Sequence, residues 1–183
     1  LLRRIHFEQG RYVLEPRPCN LRTQIVEPQI ERYRTRLADR GVSVGLGSGA
    51  ASLPDPMVLA DVGLVSQVVA NLLSNAVKYA REPEGGGEKR AVIDWEVVPV
   101  SVTRPEESVK VKVFTTGRHI AQDDATRLYS EGFRGGNATT EYGTGHGLYF
   151  IREVIGLHRG AVGYERAPDG NVFFFILPTQ APD

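Results

Sequence analysis

The sequence has little cysteine, no surplus of charge and no long apolar run, and each absence excludes a class of protein. Cys19 is the single cysteine, which excludes an internal disulfide, and with only four histidines a structural zinc site is disfavoured. Basic and acidic side chains number 22 each, which argues against a broad surface for nucleic acid or anionic lipid. The chain also lacks a stretch of about 18 apolar residues that could span a membrane. We therefore expect a cytoplasmic domain with no nucleic-acid partner and no direct membrane contact, any membrane tether being supplied by other domains.

Apolar content and hydrophobic periodicity predict one globular domain that mixes helices and strands. The chain has 183 residues, of which 41% are apolar, enough for one well-filled core. We expect the α+β class, as a two-layer sandwich in which a mixed sheet of about five strands carries about three helices on one face. The predicted helices are 21–40, 61–79, 123–129 and 148–157; the predicted strands are 12–14, 42–46, 92–102, 109–114, 161–166 and 172–177; residues 47–56 are predicted to be a loop.

The helix predicted over 61–79 carries polar side chains on one face of an otherwise apolar segment. Asn71, Asn75 and Lys78 stand at positions i, i+4 and i+7, so they share that face. Amides in the middle of an apolar helix are costly unless something satisfies them. A bound ligand is one candidate, and a solvated or capped side chain is the other.

A second motif, Gly143-Thr-Gly-His-Gly-Leu148, ends a glycine-rich segment and opens the helix predicted over 148–157. Glycines allow the backbone to approach an anion closely, and the N–H groups at a helix start favour negative charge. A mobile turn with a glycine-rich helix start is the alternative interpretation of this motif alone. The sequence contains no Walker-type Gly-x-x-x-x-Gly-Lys-Ser/Thr segment, so a phosphate site here is not a P-loop.

The order of these motifs resembles the ATP-binding catalytic domain of two-component sensor histidine kinases, within the gyrase- and MutL-type (Bergerat-fold) ATPase superfamily. Residues 61–79 are similar to the asparagine box of that family, residues 128–134 to its phenylalanine-containing box, and residues 143–148 to its last glycine box. The resemblance implies that residues 1–10 are the tail of an upstream dimerisation helix. It also implies that residues 11–180 are the catalytic domain, with an ATP lid at about 134–145.

The resemblance implies a role for each matching residue, with ATP and Mg²⁺ as cofactors. Asn75 would be the Mg²⁺ ligand, because hard cations prefer oxygen ligands. Asn71 and Lys78 would be the catalytic residues. Asn71 stands where the gyrase-like ATPases carry a water-activating glutamate, and an amide cannot take a proton, which disfavours hydrolysis and suits a kinase. The implied nucleotide-binding residues are Asn71, Asn75, Lys78, Tyr79, Thr115, Gly117, Arg134, Gly143, Thr144, Gly145, His146, Gly147 and Leu148.

One box departs from the family pattern. Where the family has Asp-x-Gly-x-Gly, this chain has Thr115-Thr-Gly-Arg-His119, so Thr115 replaces the adenine-binding carboxylate and His119 replaces a glycine. A neutral acceptor in place of a charged one predicts a loss of about 1–2 kcal/mol, roughly tenfold in affinity. At His119 we expect backbone strain if the position needs a positive φ.

Two functions follow from the resemblance and this departure. The first is a working kinase domain that transfers the ATP γ-phosphoryl group to a histidine of a dimerisation domain outside this chain. Its partners would be that phosphoacceptor domain, a response regulator and a second copy in a homodimer of the full-length protein. The second is a degenerate, non-catalytic module that acts through protein–protein interaction or allosteric control of another kinase.

Overall fold

The computed structural model describes residues 13–131 and 147–179. The strands are β1 (Arg17–Asn20), β2 (Val42–Leu46), β3 (Met57–Ala60), β4 (Lys89–Val98), β5 (Ser108–Thr116), β6 (Ala161–Ala167) and β7 (Gly170–Pro178). The helices are α1 (Glu27–Asp39), α2 (Ser48–Ser52), α3 (Val62–Tyr79), α4 (Gln122–Ala125) and α5 (Gly147–Leu157), and a π-helical segment (Leu21–Val26) precedes α1.

The main sheet has five strands in the order β2-β4-β5-β7-β6. Strands β2 and β4 run parallel, whereas the pairs β4–β5, β5–β7 and β6–β7 are antiparallel. This arrangement confirms the predicted mixed sheet of the α+β class. The hairpins β4–β5 and β6–β7 match the predicted strand pairs, although each strand is bounded differently from its prediction.

Two sequence-based predictions of local structure were wrong. Strand β1 lies at Arg17–Asn20 rather than at 12–14, and it pairs antiparallel with β3, which was not predicted. The segment expected to be a loop, 47–56, contains α2. The first error has a clear cause: β1 and β3 are four residues each and are stabilised by each other across a long sequence separation, which periodicity within a short window does not detect. Helix α2 is only five residues long, too short to show a helical period.

The core lies between one face of the main sheet and the longer helices. Alternate residues of β4, β5 and β7 are buried on that face, as the two-residue period of a strand requires. Helix α3 contacts both α1 and α5, so it is the central helix of its layer. Half of its 18 residues are buried, yet within the described part of the chain no helix is both long and apolar enough to cross a membrane.

The ends of α3 and α5 are joined by a buried polar cluster. Asp61 Oδ1 accepts the backbone N–H of Leu64 at 3.1 Å and so caps the start of α3. The backbone N–H of Asp61 donates to His158 Nε2 at 2.9 Å, and His158 Nδ1 donates to the Val154 carbonyl at 2.7 Å. Burial lowers the pKa of His158 and favours the neutral ring that these bonds require.

Candidate functional site

The polar face predicted on α3 is present, and its residues differ sharply in exposure. Asn75 is only 7% exposed, Asn71 is half-buried and Lys78 is exposed. Nδ2 of Asn75 is buried and has no hydrogen-bond partner among the described residues. A buried amide that no described protein group satisfies is unusual, and binding of a polar ligand is one way in which such a group is satisfied. The other end of the same amide is an oxygen, the type of ligand that suits Mg²⁺.

The start of α5 comes next to this face. Nδ2 of Asn71 donates to the Gly147 carbonyl oxygen at 3.4 Å, and a Cβ added to Gly147 would lie 3.9 Å from the same nitrogen. The structure therefore brings the end of the glycine motif against the asparagine helix, from 76 residues away. The side chain of Leu148 is buried in the core, so Leu148 can contact a ligand only through its backbone.

The end of β5 lies against the end of α3. Arg81 N donates to the Thr116 carbonyl at 3.0 Å, and a Cβ added to Gly117 would lie 3.9 Å from the Tyr79 carbonyl oxygen. Gly117 has φ +148°, which disfavours any other residue at that position. Thr115 is 3% exposed and shares the helix-facing side of the sheet with the buried residues of β5. Thr115, Gly117 and Tyr79 thus lie at one end of α3, beyond Lys78.

The strain considered for His119 is absent. Among the described residues the one non-glycine residue with positive φ is Arg159, at 57°. His119 is exposed, and its Nε2–H donates to the Ala167 carbonyl at 2.6 Å. The histidine is thus hydrogen-bonded to the β6–β7 hairpin and fits without backbone strain in place of the family's glycine.

Sequence reasoning missed the residue that holds the loop after β5. Asn171 is fully buried; its Oδ1 accepts the Ile120 N–H at 3.2 Å and the Tyr164 hydroxyl, and its Nδ2 donates to the Arg118 carbonyl at 2.9 Å. Burial raises the pKa of Tyr164, which keeps that hydroxyl protonated as a donor. One signal was available, because Asn171 is a polar residue at an inward position of an otherwise apolar strand.

Gln67 was also missed, and it lies on the same face of α3 as Asn71. Its Nε2 donates to Asn71 Oδ1 at 2.7 Å. The i, i+4 spacing of the two residues was the available signal.

Several predicted residues lie outside the described part of the chain. They are Arg134, Gly143, Thr144, Gly145 and His146, together with the predicted lid at 134–145 and the predicted tail at 1–10. Within residues 13–131 and 147–179 no group of three or more histidine, cysteine, aspartate or glutamate side chains could hold a metal ion.

Comparison with known proteins supports one family. The family model of the histidine kinase-, DNA gyrase B- and HSP90-like ATPases matches residues 60–181. The adaptive-response sensory kinase SasA of Rippkaea orientalis is 35% identical over 125 residues, which are 67% of this chain and 29% of that protein. The chain spans about a third of the length of the curated relatives it matches.

Solved structures of histidine kinases share the fold. Full-length ShkA in complex with AMPPNP superposes with a TM-score of 0.72 at 21% identity, over 99% of this chain and 36% of that one. Histidine kinase ThkA in complex with the response regulator protein TrrA superposes with a TM-score of 0.71 at 20% identity, over 96% of this chain and 46% of that one. The chain therefore belongs to the family of histidine kinase-, DNA gyrase B- and HSP90-like ATPases.

Proposed function

We propose that this chain binds Mg²⁺–ATP and transfers the γ-phosphoryl group to a histidine on a dimerisation domain outside this chain. The observation that carries the proposal is the buried amide of Asn75, whose Nδ2 has no partner among the described residues, one helical turn from Asn71. A polar ligand resolves the cost of this buried amide. A domain that had lost its nucleotide would have no evident use for it.

Each residue of the face has a distinct task in this proposal. Mg²⁺–ATP, when bound, supplies the transferable phosphoryl group and neutralises part of the phosphate charge. Asn75 holds the metal through its amide oxygen, and the exposed ammonium of Lys78 attracts the phosphates. Asn71 cannot accept a proton, so it does not activate water, and ATP is kept for the histidine acceptor. Catalysis at such a site is mostly positioning and charge stabilisation.

The base and ribose belong at the other end of α3, where Tyr79, Thr115 and Gly117 lie together. Thr115 offers a neutral hydroxyl to the adenine amine in place of a carboxylate. We propose that this substitution weakens binding without abolishing it. His119 does not add to the loss, because it is turned to the β6–β7 hairpin and carries no strain.

We further propose that the full-length protein is a homodimer that passes its phosphoryl group to a response regulator in the cytoplasm. The complex of ThkA with TrrA supports this partner class by similarity of fold.

The second candidate function is a non-catalytic module that controls another kinase by contact. The single observation that favours it is the uncharged, buried Thr115 at the expected adenine position.

Calorimetric titration of the chain with Mg²⁺–AMPPNP tests the proposal. We expect saturable binding by the wild type and its loss in Asn75→Ala, with Ser74→Ala, the neighbouring residue on α3, as the matched control. Because a charged acceptor strengthens a hydrogen bond by about 1–2 kcal/mol, Thr115→Asp should bind roughly tenfold more tightly. If neither the wild type nor Thr115→Asp binds AMPPNP at millimolar concentration, the proposed nucleotide site is refuted and the non-catalytic function remains.

A further inference from the structure

We infer that Gln67 is a positioning residue that fixes Asn71 as a hydrogen-bond donor to the nucleotide's phosphate oxygens. The inference rests on the proposed function and assigns a task to a residue outside the motif. It is carried by two contacts, one on each end of the Asn71 amide.

The first contact occupies the oxygen of Asn71. Gln67 and Asn71 are one helical turn apart on α3, and Gln67 Nε2 donates to Asn71 Oδ1 at 2.7 Å. That hydrogen bond holds the Asn71 amide in place, with its oxygen toward Gln67 and its NH₂ group toward the start of α5.

The second contact decides which way the amide pair is turned. Asn71 Nδ2 donates to the Gly147 carbonyl at 3.4 Å. Turning Asn71 alone would oppose two NH₂ groups at Gln67 and two oxygens at Gly147. Turning both amides together would restore the pair but still oppose two oxygens at Gly147. Only the observed orientation satisfies both neighbours.

This orientation of the Asn71 amide places its NH₂ group where α3 meets the start of α5. The Asn71 NH₂ group carries two hydrogens, of which the Gly147 carbonyl takes one. The other remains for an anionic oxygen, and hydrogen bonds to charged acceptors are the stronger kind. Asn75 differs, because no partner among the described residues holds its Nδ2. The held amide of Asn71 is thus placed to donate to phosphate.

The test compares nucleotide affinity with Mg²⁺ requirement. For Gln67→Ala we expect AMPPNP affinity at saturating Mg²⁺ to fall about fivefold, since one oriented hydrogen bond is weakened. The Mg²⁺ concentration for half-maximal binding at fixed AMPPNP should stay within about twofold of wild type, whereas Asn75→Ala should raise it. Ser66→Ala is the matched control, because the adjacent position points about 100° away around the helix.

A double-mutant cycle separates positioning from any direct effect of Gln67. In the Asn71→Ala background, Gln67→Ala should have no further effect on affinity. Gln67→Glu, whose carboxylate can only accept hydrogen bonds, should weaken AMPPNP binding more than Gln67→Ala. In the Asn71→Ala background this loss of affinity should be smaller, because there is no Asn71 amide left to turn. In the free chain, the side-chain NH₂ signals of Asn71 in ¹⁵N NMR should move in Gln67→Ala and not in Ser66→Ala.

Three results overturn the inference: unchanged affinity in Gln67→Ala, an equal loss in the Asn71→Ala background, or a raised Mg²⁺ requirement in Gln67→Ala. Each of them is obtained with a wild-type chain that binds AMPPNP, so the proposed function would stand. A wild-type chain that binds no AMPPNP refutes the proposed function and the inference together.

Discussion

Replacing Asn171 by alanine should destabilise the protein and loosen the loop that follows β5. The side chain is fully buried and makes three hydrogen bonds, to the Ile120 N–H, the Tyr164 hydroxyl and the Arg118 carbonyl. At about 1 kcal/mol for each neutral hydrogen bond, Asn171→Ala should lower the free energy of unfolding by about 3 kcal/mol. The loss should not exceed this value, because the Ile120 N–H still donates to the Tyr164 hydroxyl at 3.3 Å. The Arg118 carbonyl belongs to an exposed residue and can accept from water instead.

The assay is urea unfolding followed by the fluorescence of Trp95, the single tryptophan, which is 1% exposed in the folded protein. Tyr164→Phe is the matched variant, because it removes one hydroxyl and leaves the Asn171 amide in place. It should cost about 1 kcal/mol alone and more in the Asn171→Ala background, where the buried Ile120 N–H depends on this hydroxyl as its acceptor.

Asn171 should also affect the site, because the loop that it holds begins at Gly117. We expect Asn171→Ala to weaken Mg²⁺–AMPPNP binding under conditions where the variant is still folded. The reasoning is refuted if Asn171→Ala loses less than about 1 kcal/mol of unfolding free energy, which is the value for a single hydrogen bond. It is also refuted if the effects of Asn171→Ala and Tyr164→Phe simply add.

Three further predictions concern the helix ends and a close backbone contact. Burial lowers the pKa of His158 in the folded protein. The neutral ring should therefore contribute its full stability above pH 6.5, the approximate pKa of the unfolded chain, and this contribution should decline as the pH falls through the pKa of the folded state. Urea midpoints measured from about pH 7 to pH 5 should show the decline in the wild type but not in His158→Gln, and equal profiles contradict it. Asp61→Ala should lower the unfolding free energy by about 1–2 kcal/mol, because the α3 cap is lost. Asp61→Asn should retain most of the wild-type unfolding free energy, since asparagine also caps helices. Equal losses in the two variants would argue against capping. Gly170→Ala should cost about 1–3 kcal/mol, because the added Cβ would lie 2.1 Å from the Thr115 carbonyl oxygen. Gly156→Ala, whose Cβ would meet nothing within 4 Å, should not show that loss, and similar denaturation curves for the two variants exclude the clash.

Secondary structure could be predicted from the sequence wherever the residues of one short segment carry a helical or strand pattern. The helix predicted over 61–79 is found at Val62–Tyr79, because apolar residues at helical spacing and the capping residue Asp61 lie within one window. The two hairpins were also predictable, since each pairs strands that are neighbours in the chain. The short strands β1 and β3 were not, because neither carries a periodic signal and each needs the other.

The polar residues show the same division. The shared face of Asn71, Asn75 and Lys78 followed from helix geometry alone. The sequence did not show which amide is held and which is unpartnered, because this depends on Gly147 reaching α3 from 76 residues away. The strain considered at His119 also depended on a backbone angle that only the folded loop defines.

The sequence by itself determined the family, the mixed sheet and the helix that carries the polar face, since these depend on residue types at short, regular spacings. Only the tertiary structure decided the orientation of the Asn71 amide, the unsatisfied state of Asn75 and the role of Asn171. The physical reason is that hydrogen bonding and burial are set by groups that are close in space but distant in sequence, and folding alone brings those groups together.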